Sequence, residues 1–191
     1  LSNRTGLVMP VREIVAMARA RGVDTIVDAA QTIGHLDYTL PDLDADFVGF
    51  SLHKWLCAPI GTGAIWIRRS RLADIEPCMG STMFADDDTQ ARSSIGTVNF
   101  AATLTVPAAI AFHRRIGSAA KQAYLRSLRD YWVERVRDLP GIQILTPDDP
   151  ARYGAVTSFR RRRSGSRRCS SRSIVCSRWP GGASHRGPRC V

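Results

Sequence analysis

The stretch "VDAAQTIGHLDYTLPDLDADFVGFSLHKWLCAPIGTGAIWIRR", residues 27–69, decides how the rest of the chain is read. Its apolar runs are short, and the first two end on polar residues. Ile26 and Val27 close on Asp28, with Gln31 just beyond; "FVGF" closes on Ser51, followed by His53 and Lys54. "FVGFS", residues 47–51, shows no clean alternation, which predicts a strand buried on both faces of a parallel sheet. The acidic "LPDLDAD" before it predicts a turn or a short helix, and "AIWIRR" after the "APIGTG" turn a third strand. A lysine directly after an apolar run is costly to bury unless it is paired, or unless a depressed pKa is its purpose. In a parallel sheet the carboxyl ends of neighbouring strands face one crevice, where ligands bind. The spacing therefore lets the carboxylate of Asp28, the amide of Gln31, the hydroxyl of Ser51, the imidazole of His53 and the amine of Lys54 converge. That set exceeds the needs of a salt bridge, although a bare Asp–Lys pair is the plainer alternative.

Outward from this stretch the pattern alternates. Pro10 to Gly22 reads as a helix, with Pro in its first turn, Gly just past its end and Val11, Ile14, Val15 and Ala18 along one face. Ala101 to Ile116 is helical in pattern but contains Pro107, which predicts a kink or a restart. Ser118 reads as the N-cap of a long helix reaching Leu139, with Leu125, Leu128, Trp132, Val136 and Leu139 on one stripe that packs as core. "GIQILTP" and "GAVTSF" are strand-like and open a second, smaller domain. Short apolar strands mixed with amphipathic helices give an α/β class. The expected organisation is a larger domain over residues 1–117, the start of a small α+β domain over 118–159, and a tail over 160–191.

Charge divides along the same line. The chain of 191 residues carries a formal net charge of +10, yet the segment from Arg160 to Val191 alone holds 10 Arg and no acid. Residues 1–159 keep 17 basic against 17 acidic residues, so the global pI is the wrong evidence for a nucleic-acid partner. Five cysteines without framework spacing predict reduced thiols and a cytoplasmic protein. No carboxylate–histidine metal spacing, signal peptide or membrane-spanning run is present in the sequence, so no metal and no membrane partner is expected. A first residue that is Leu1 rather than Met reads as a piece of something longer.

The tail, "RRRRSGSRRCSSRSIVCSRWPGGASHRGPRCV", has no acids and no periodicity. One reading is an arginine-rich nucleic-acid-binding segment, and a salt-sensitive affinity lost on removing residues 160–191 would identify it. The other reading is GC-rich coding DNA read out of frame, leaving the tail disordered. Shifting the frame over Cys176 to Ser184 allows Phe-Thr-Val-Ala-Arg-Gly-Gly-Leu-Ala, an apolar strand running into a turn. The Ala in that peptide is forced by Trp179 followed by Pro180.

The Asp…Gln…Ser-x-His-Lys pattern of residues 28–54, over residues 1 to about 159, resembles the cofactor-lysine region of class V aminotransferases. These are pyridoxal-phosphate enzymes of the aspartate-aminotransferase-like fold, a mostly parallel sheet flanked by helices with a small second domain. They include aminotransferases, kynureninases, cysteine desulfurases and isopenicillin N epimerases. "LDYTLPDLDADFVGFSLHKW" and "APIGTG" are most similar in wording to the epimerase-like branch. The resemblance implies pyridoxal 5'-phosphate as cofactor and an amino acid as substrate. Lys54 is implied as the Schiff-base lysine and proton-transferring base, Asp28 as the partner of the pyridine nitrogen, and Gln31 as a donor to the phenolate oxygen. Ser51 and His53 are implied as phosphate ligands. In the homodimers of this family a Gly-Thr turn from the partner subunit reaches the same phosphate, and Gly96 and Thr97 fit that part. His35, His113 and Cys57 match no family site and read as structural. The family's N-terminal phosphate-binding loop and ring-stacking residue precede "LSNRTGLVMP", and its substrate-carboxylate arginine follows Phe159, so this polypeptide contains neither. The alternative is therefore a non-catalytic remnant of a frameshifted gene.

Overall fold

The computed structural model describes residues 1–77, 89–93 and 96–161 and, as backbone, residues 172–175. Cys78 and most of the basic tail lie outside the described residues. The first helix, α1 (Val11–Arg19), starts behind Pro10, with Glu13 in its first turn and Arg19 in its last, each complementing the helix dipole. Only part of the expected face is covered: Val15 is buried, Val11 and Ala18 are half-buried, and Ile14 remains exposed.

The strands β1 (Ile26–Asp28), β2 (Phe47–Ser51) and β3 (Gly63–Ile67) form one sheet in that order. β1 and β2 are parallel, with Val27 opposite Val48 and Asp28 opposite Gly49. β3 returns antiparallel, with Val48 opposite Trp66. The loop between β2 and β3 folds back on itself, Leu52 N–H donating to Thr62 O at 3.1 Å, and supplies no crossover that a parallel partner would need. One row of side chains, Val27, Val48 and Trp66, packs with Val15, Ala29 and Ala45 beneath α1 and a 3-10 turn over Leu40–Leu43. That turn is the expected short helix, closed by Thr39 and Asp42 as a capping box.

The other face departs from the expectation of a sheet buried on both sides. Ile26 is 81% exposed and Ile65 68% exposed, because α1 and the 3-10 turn cover one face only among the described residues.

The two ends of this sheet differ. Asp24 and Asp46 stand just before β1 and β2, and Arg68 and Arg71 just after antiparallel β3, so all four meet at one end. Arg71 donates to both Asp24 oxygens at 2.7 Å, and Arg68 donates to Asp44 at 2.6 Å. Asp46 Oδ2 accepts from the backbone N–H and hydroxyl of Thr25, each at 2.8 Å, which ties the start of β2 to the residue before β1. Burial opposes the charge on Asp46, but Thr25 and Arg71 outweigh it and leave the carboxyl below its usual range.

Beyond β3 come α2 (Gln90–Ser93), α3 (Phe100–Leu104), α4 (Val106–Ile116) and α5 (Ser118–Val136). Pro107 restarts the helix rather than kinking it, sitting in the first turn of α4 where its missing N–H has no helical acceptor to lose. Ser118 is not the cap expected of it. Gly117, at φ 82°, precedes the helix, and the Ser118 hydroxyl instead donates to Asp37. The stripe is centred on Arg129 and Val133, while Leu139 lies past the helix end and is 52% exposed.

The second sheet has the order β4 (Ile142–Ile144), β5 (Val156–Arg161), β6 (Arg172–Val175), antiparallel throughout. β6 falls within the basic tail of residues 160–191. Its backbone pairs with β5 from Val156 opposite Val175 to Phe159 opposite Arg172, and Ile174-Val175 is β-favouring sequence. β5 is buried where α5 crosses it: the Arg129 guanidinium donates to Thr157 Oγ1 at 3.0 Å and lies 4.0 Å over the Tyr153 ring. The amino-terminal segment also packs here. Gly6, at φ 70°, approaches β5 so closely that a Cβ would sit 2.0 Å from Val156 O, leaving room for no other residue.

Candidate active site

A cleft of 660 Å³ runs between α1 and the edge strand β1, from Asp24 and Thr25 at the ion-paired end of the sheet to Asp28 at the carboxyl end of the strand. Asp28, Gln31 and Lys54 all line it, together with Ile14 and Val15 of α1. Three of the predicted site residues are thus brought together. Asp28 is the last residue of β1. Its Oδ1 accepts from Ala30 N–H at 2.8 Å, and its Oδ2 has no hydrogen-bond donor among the described residues. Gln31 stands in the turn that follows, where Thr32 and Ile33 N–H both donate to Ala29 O.

Lys54 is exposed, so the burial cost that its sequence position raises does not arise. Its amine has no partner among the described residues. The loop carrying it is nonetheless fixed from several sides. Leu52, Leu56 and Ala58 are buried against Val106, Ala109 and Ile110 of α4. The Lys121 amine donates to Trp55 O, and Cys57 N–H donates to Lys54 O at 3.2 Å. Cys57 itself takes φ 64°, a left-handed conformation that costs a non-glycine residue about 1 kcal/mol or more.

The other predicted residues stand apart. Ser51 ends β2, half-buried and paired with Gly63, and is not a lining residue of the cleft. His53 Nδ1 is 3.2 Å from Thr62 O. A carbonyl can only accept, so the ring proton sits on Nδ1, and Nε2 donates only when the imidazole is doubly protonated. Gly96 and Thr97 are exposed and outside the cleft, with Gly96 at φ 80°.

Two residues that sequence reading left aside prove to be built into the site's wall. The Trp55 indole N–H donates to Gln31 Oε1 at 3.0 Å. His35, 1% exposed, holds Gln31 O through Nδ1 at 2.9 Å and accepts from Ala155 N–H through Nε2 at 2.8 Å. Its ring packs on Trp55 with centroids 4.1 Å apart. Burial, only partly countered by the bond to Gln31, pushes the His35 pKa down to about 4, so the ring is neutral. The four-residue spacing from Gln31 to His35 was the available signal; nothing local to the sequence could show Ala155 arriving from the second sheet.

The cofactor of the family that residues 28–54 resemble is pyridoxal 5'-phosphate, and the donor set fits that group in part. A carboxylate oxygen, an amide and an exposed amine share one cleft, as ring nitrogen, ring oxygen and aldehyde require. Among the described residues no helix is long and apolar enough to cross a membrane.

The family model for class V aminotransferases matches residues 1–171. The chain is 34% identical over 174 residues to the isopenicillin N epimerase of Streptomyces clavuligerus, covering 83% of this chain and 44% of that protein. It is 32% identical over 168 residues to a probable cysteine desulfurase of Streptomyces coelicolor, covering 83% of this chain and 40% of that one. The chain thus spans less than half the length of these curated relatives. Among solved structures, the apo cysteine desulfurase of Thermococcus onnurineus superposes with a TM-score of 0.68 at 27% identity, over 83% of this chain and 42% of that one. The cysteine desulfurase CsdA of Escherichia coli shares the fold, with a TM-score of 0.70 at 24% identity. A family model matching most of the chain, joined by relatives and solved structures that cover 83% of it, shows that the chain belongs to the class V aminotransferase family.

Proposed function

We propose that the complete protein is a pyridoxal-phosphate enzyme that moves a proton at the α-carbon of an amino acid, with Lys54 as cofactor lysine and base. The observation that carries this is the convergence of Asp28, Gln31 and Lys54 on one cleft, Asp28 at the carboxyl end of β1 and Lys54 just past that of its parallel neighbour β2. When bound, the cofactor withdraws electrons from the bonds of the substrate's α-carbon.

The chain's own residues would serve that chemistry as follows. Asp28 offers its open Oδ2 to a protonated ring nitrogen, and its Oδ1 bond to Ala30 N–H keeps the carboxylate in place. Lys54 is held on a braced loop with its amine unengaged, as a residue that must both bond the cofactor and carry a proton requires. Ser51 and His53 would meet the phosphate beyond the cleft rim. Gly96 and Thr97, exposed and off the cleft, would act on the partner subunit's site in a homodimer. Both epimerase and desulfurase relatives fit a reaction that begins at the α-carbon. A cytoplasmic setting agrees with the free thiol of Cys57.

The test is reduction of the chain with borohydride in the presence of pyridoxal phosphate, followed by peptide mass analysis. A stable adduct on the peptide containing Lys54, absent in Lys54→Ala, is the expected result. An adduct on Lys121, the chain's other lysine, that is unchanged in Lys54→Ala would overturn the assignment.

A further inference from the structure

Gln31 carries an amide, which presents an acceptor at one end and donors at the other. Which end faces the cleft decides what the site can bind. Trp55 settles this, because an indole N–H can only donate and therefore holds the amide oxygen. With Oε1 engaged by Trp55 at 3.0 Å, the –NH2 is the end left for the cleft, and it has no acceptor among the described residues.

We infer that Trp55 is a positioning residue: it fixes the Gln31 amide so that the cleft wall offers N–H donors, matched to an anionic ring oxygen of the cofactor. The inference rests on the pyridoxal-phosphate reading for its ligand, while the amide orientation itself does not. The indole is packed by a neighbouring ring, and its residue is anchored through the backbone. His35 stacks on it at 4.1 Å, the Lys121 amine engages its backbone carbonyl, and Leu56 beside it is buried. His35 cannot drift, since Gln31 O and Ala155 N–H engage both its nitrogens. A Cβ on Gly154 would lie 2.6 Å from His35 Nε2, so the segment leading into β5 closes over the ring without a side chain. The donor end of Gln31 is thus set by packing that reaches into the second sheet, and loosening any part of it frees the amide to flip.

Two readouts test this on the full chain. The first needs no cofactor: the indole N–H resonances of the ¹⁵N-labelled protein, with Trp55 assigned through Trp55→Phe. The Trp55 signal should exchange with water slowly, exchange about tenfold faster in Gln31→Leu, and stay protected in Gln31→Glu, which keeps an acceptor. A Trp55 signal indifferent to Gln31→Leu overturns the inference. The second readout follows the absorption band of bound pyridoxal phosphate against pH. Trp55→Phe, which keeps a ring but loses the N–H, should move the midpoint by roughly one pH unit in the same direction as Gln31→Ala, the shift one lost hydrogen bond produces. In the Gln31→Ala background it should add nothing. A midpoint unmoved by Trp55→Phe but moved by Gln31→Ala overturns the positioning role. If the wild-type chain takes up no pyridoxal phosphate, the cofactor role given to its cleft falls and the indole readout still decides the amide's orientation.

Discussion

The two ends of the first sheet carry similar residues to opposite effect. At one end Asp24, Asp44 and Asp46 meet Arg19, Arg68 and Arg71, and each of these carboxylates is engaged. At the other end Asp28 keeps an open oxygen, Gln31 an open amide nitrogen, and Lys54 an amine with no partner among the described residues. Arginine forks suit the first end because their planar donors lock two strands and a returning third into register. At the second end a lone lysine keeps its amine unspent, which the proposed role of Lys54 requires. Charge that is paired and charge that is left open thus stand at opposite ends of three short strands.

The sharpest way to break this comparison is Lys54→Ala. All borohydride-trapped cofactor on the loop should vanish while stability stays within about 0.5 kcal/mol, as for other exposed substitutions. A loss of several kcal/mol, read by urea unfolding, would make the lysine structural and erase the contrast.

Next in size is the acid response of His35. Its folded pKa of about 4 lies below the ordinary 6.5, so the unfolded chain binds the extra proton between these values and stability falls as pH drops through that window. The loss should total about 3 kcal/mol, nearly complete near pH 4, and His35→Gln should remove this slope. The depressed carboxyls of Asp24, Asp44 and Asp46 act in the same direction but lower. Their contribution is present above the ordinary carboxylate range and is lost as pH falls through their folded values. Urea midpoints across pH should therefore show two separable losses, and a single acid transition unchanged in His35→Gln would refute the assignment.

Asp46→Ala probes the closed end of the sheet. It strips two hydrogen bonds from Thr25 and should cost about 2 kcal/mol, with trapping at Lys54 retained. Loss of trapping at full stability would mean that the two ends are not separable. The smallest effect belongs to Cys57→Gly. Relief of the left-handed backbone, offset by the greater freedom of glycine in the unfolded chain, should stabilise the protein by less than about 1 kcal/mol. A destabilised variant would show that the Cys57 side chain packs for a purpose of its own.

Much of this was legible before any coordinates. Asp28, Gln31 and Lys54 could be named because strand ends are local events: apolar runs stop where polar residues begin, and sheet topology then gathers those ends. The restart at Pro107 and the short 3-10 turn at Leu40–Leu43 were legible for the same reason, since φ constraints and capping act within a few residues. Ser118 misled because Gly117 already bends the chain into α5, leaving the hydroxyl to a distant Asp37. The antiparallel return of β3, the burial of Arg129 against Thr157, and the covering of one sheet face but not the other each depend on which surfaces meet. So does the wall behind Gln31, where Ala155 comes from 120 positions away to hold His35, and through it Trp55. By itself the sequence determined which groups stand at the strand ends. Only the tertiary structure decided which of them are spent on one another and which are left free, because partnership between side chains is settled by packing, not by neighbourhood in the chain.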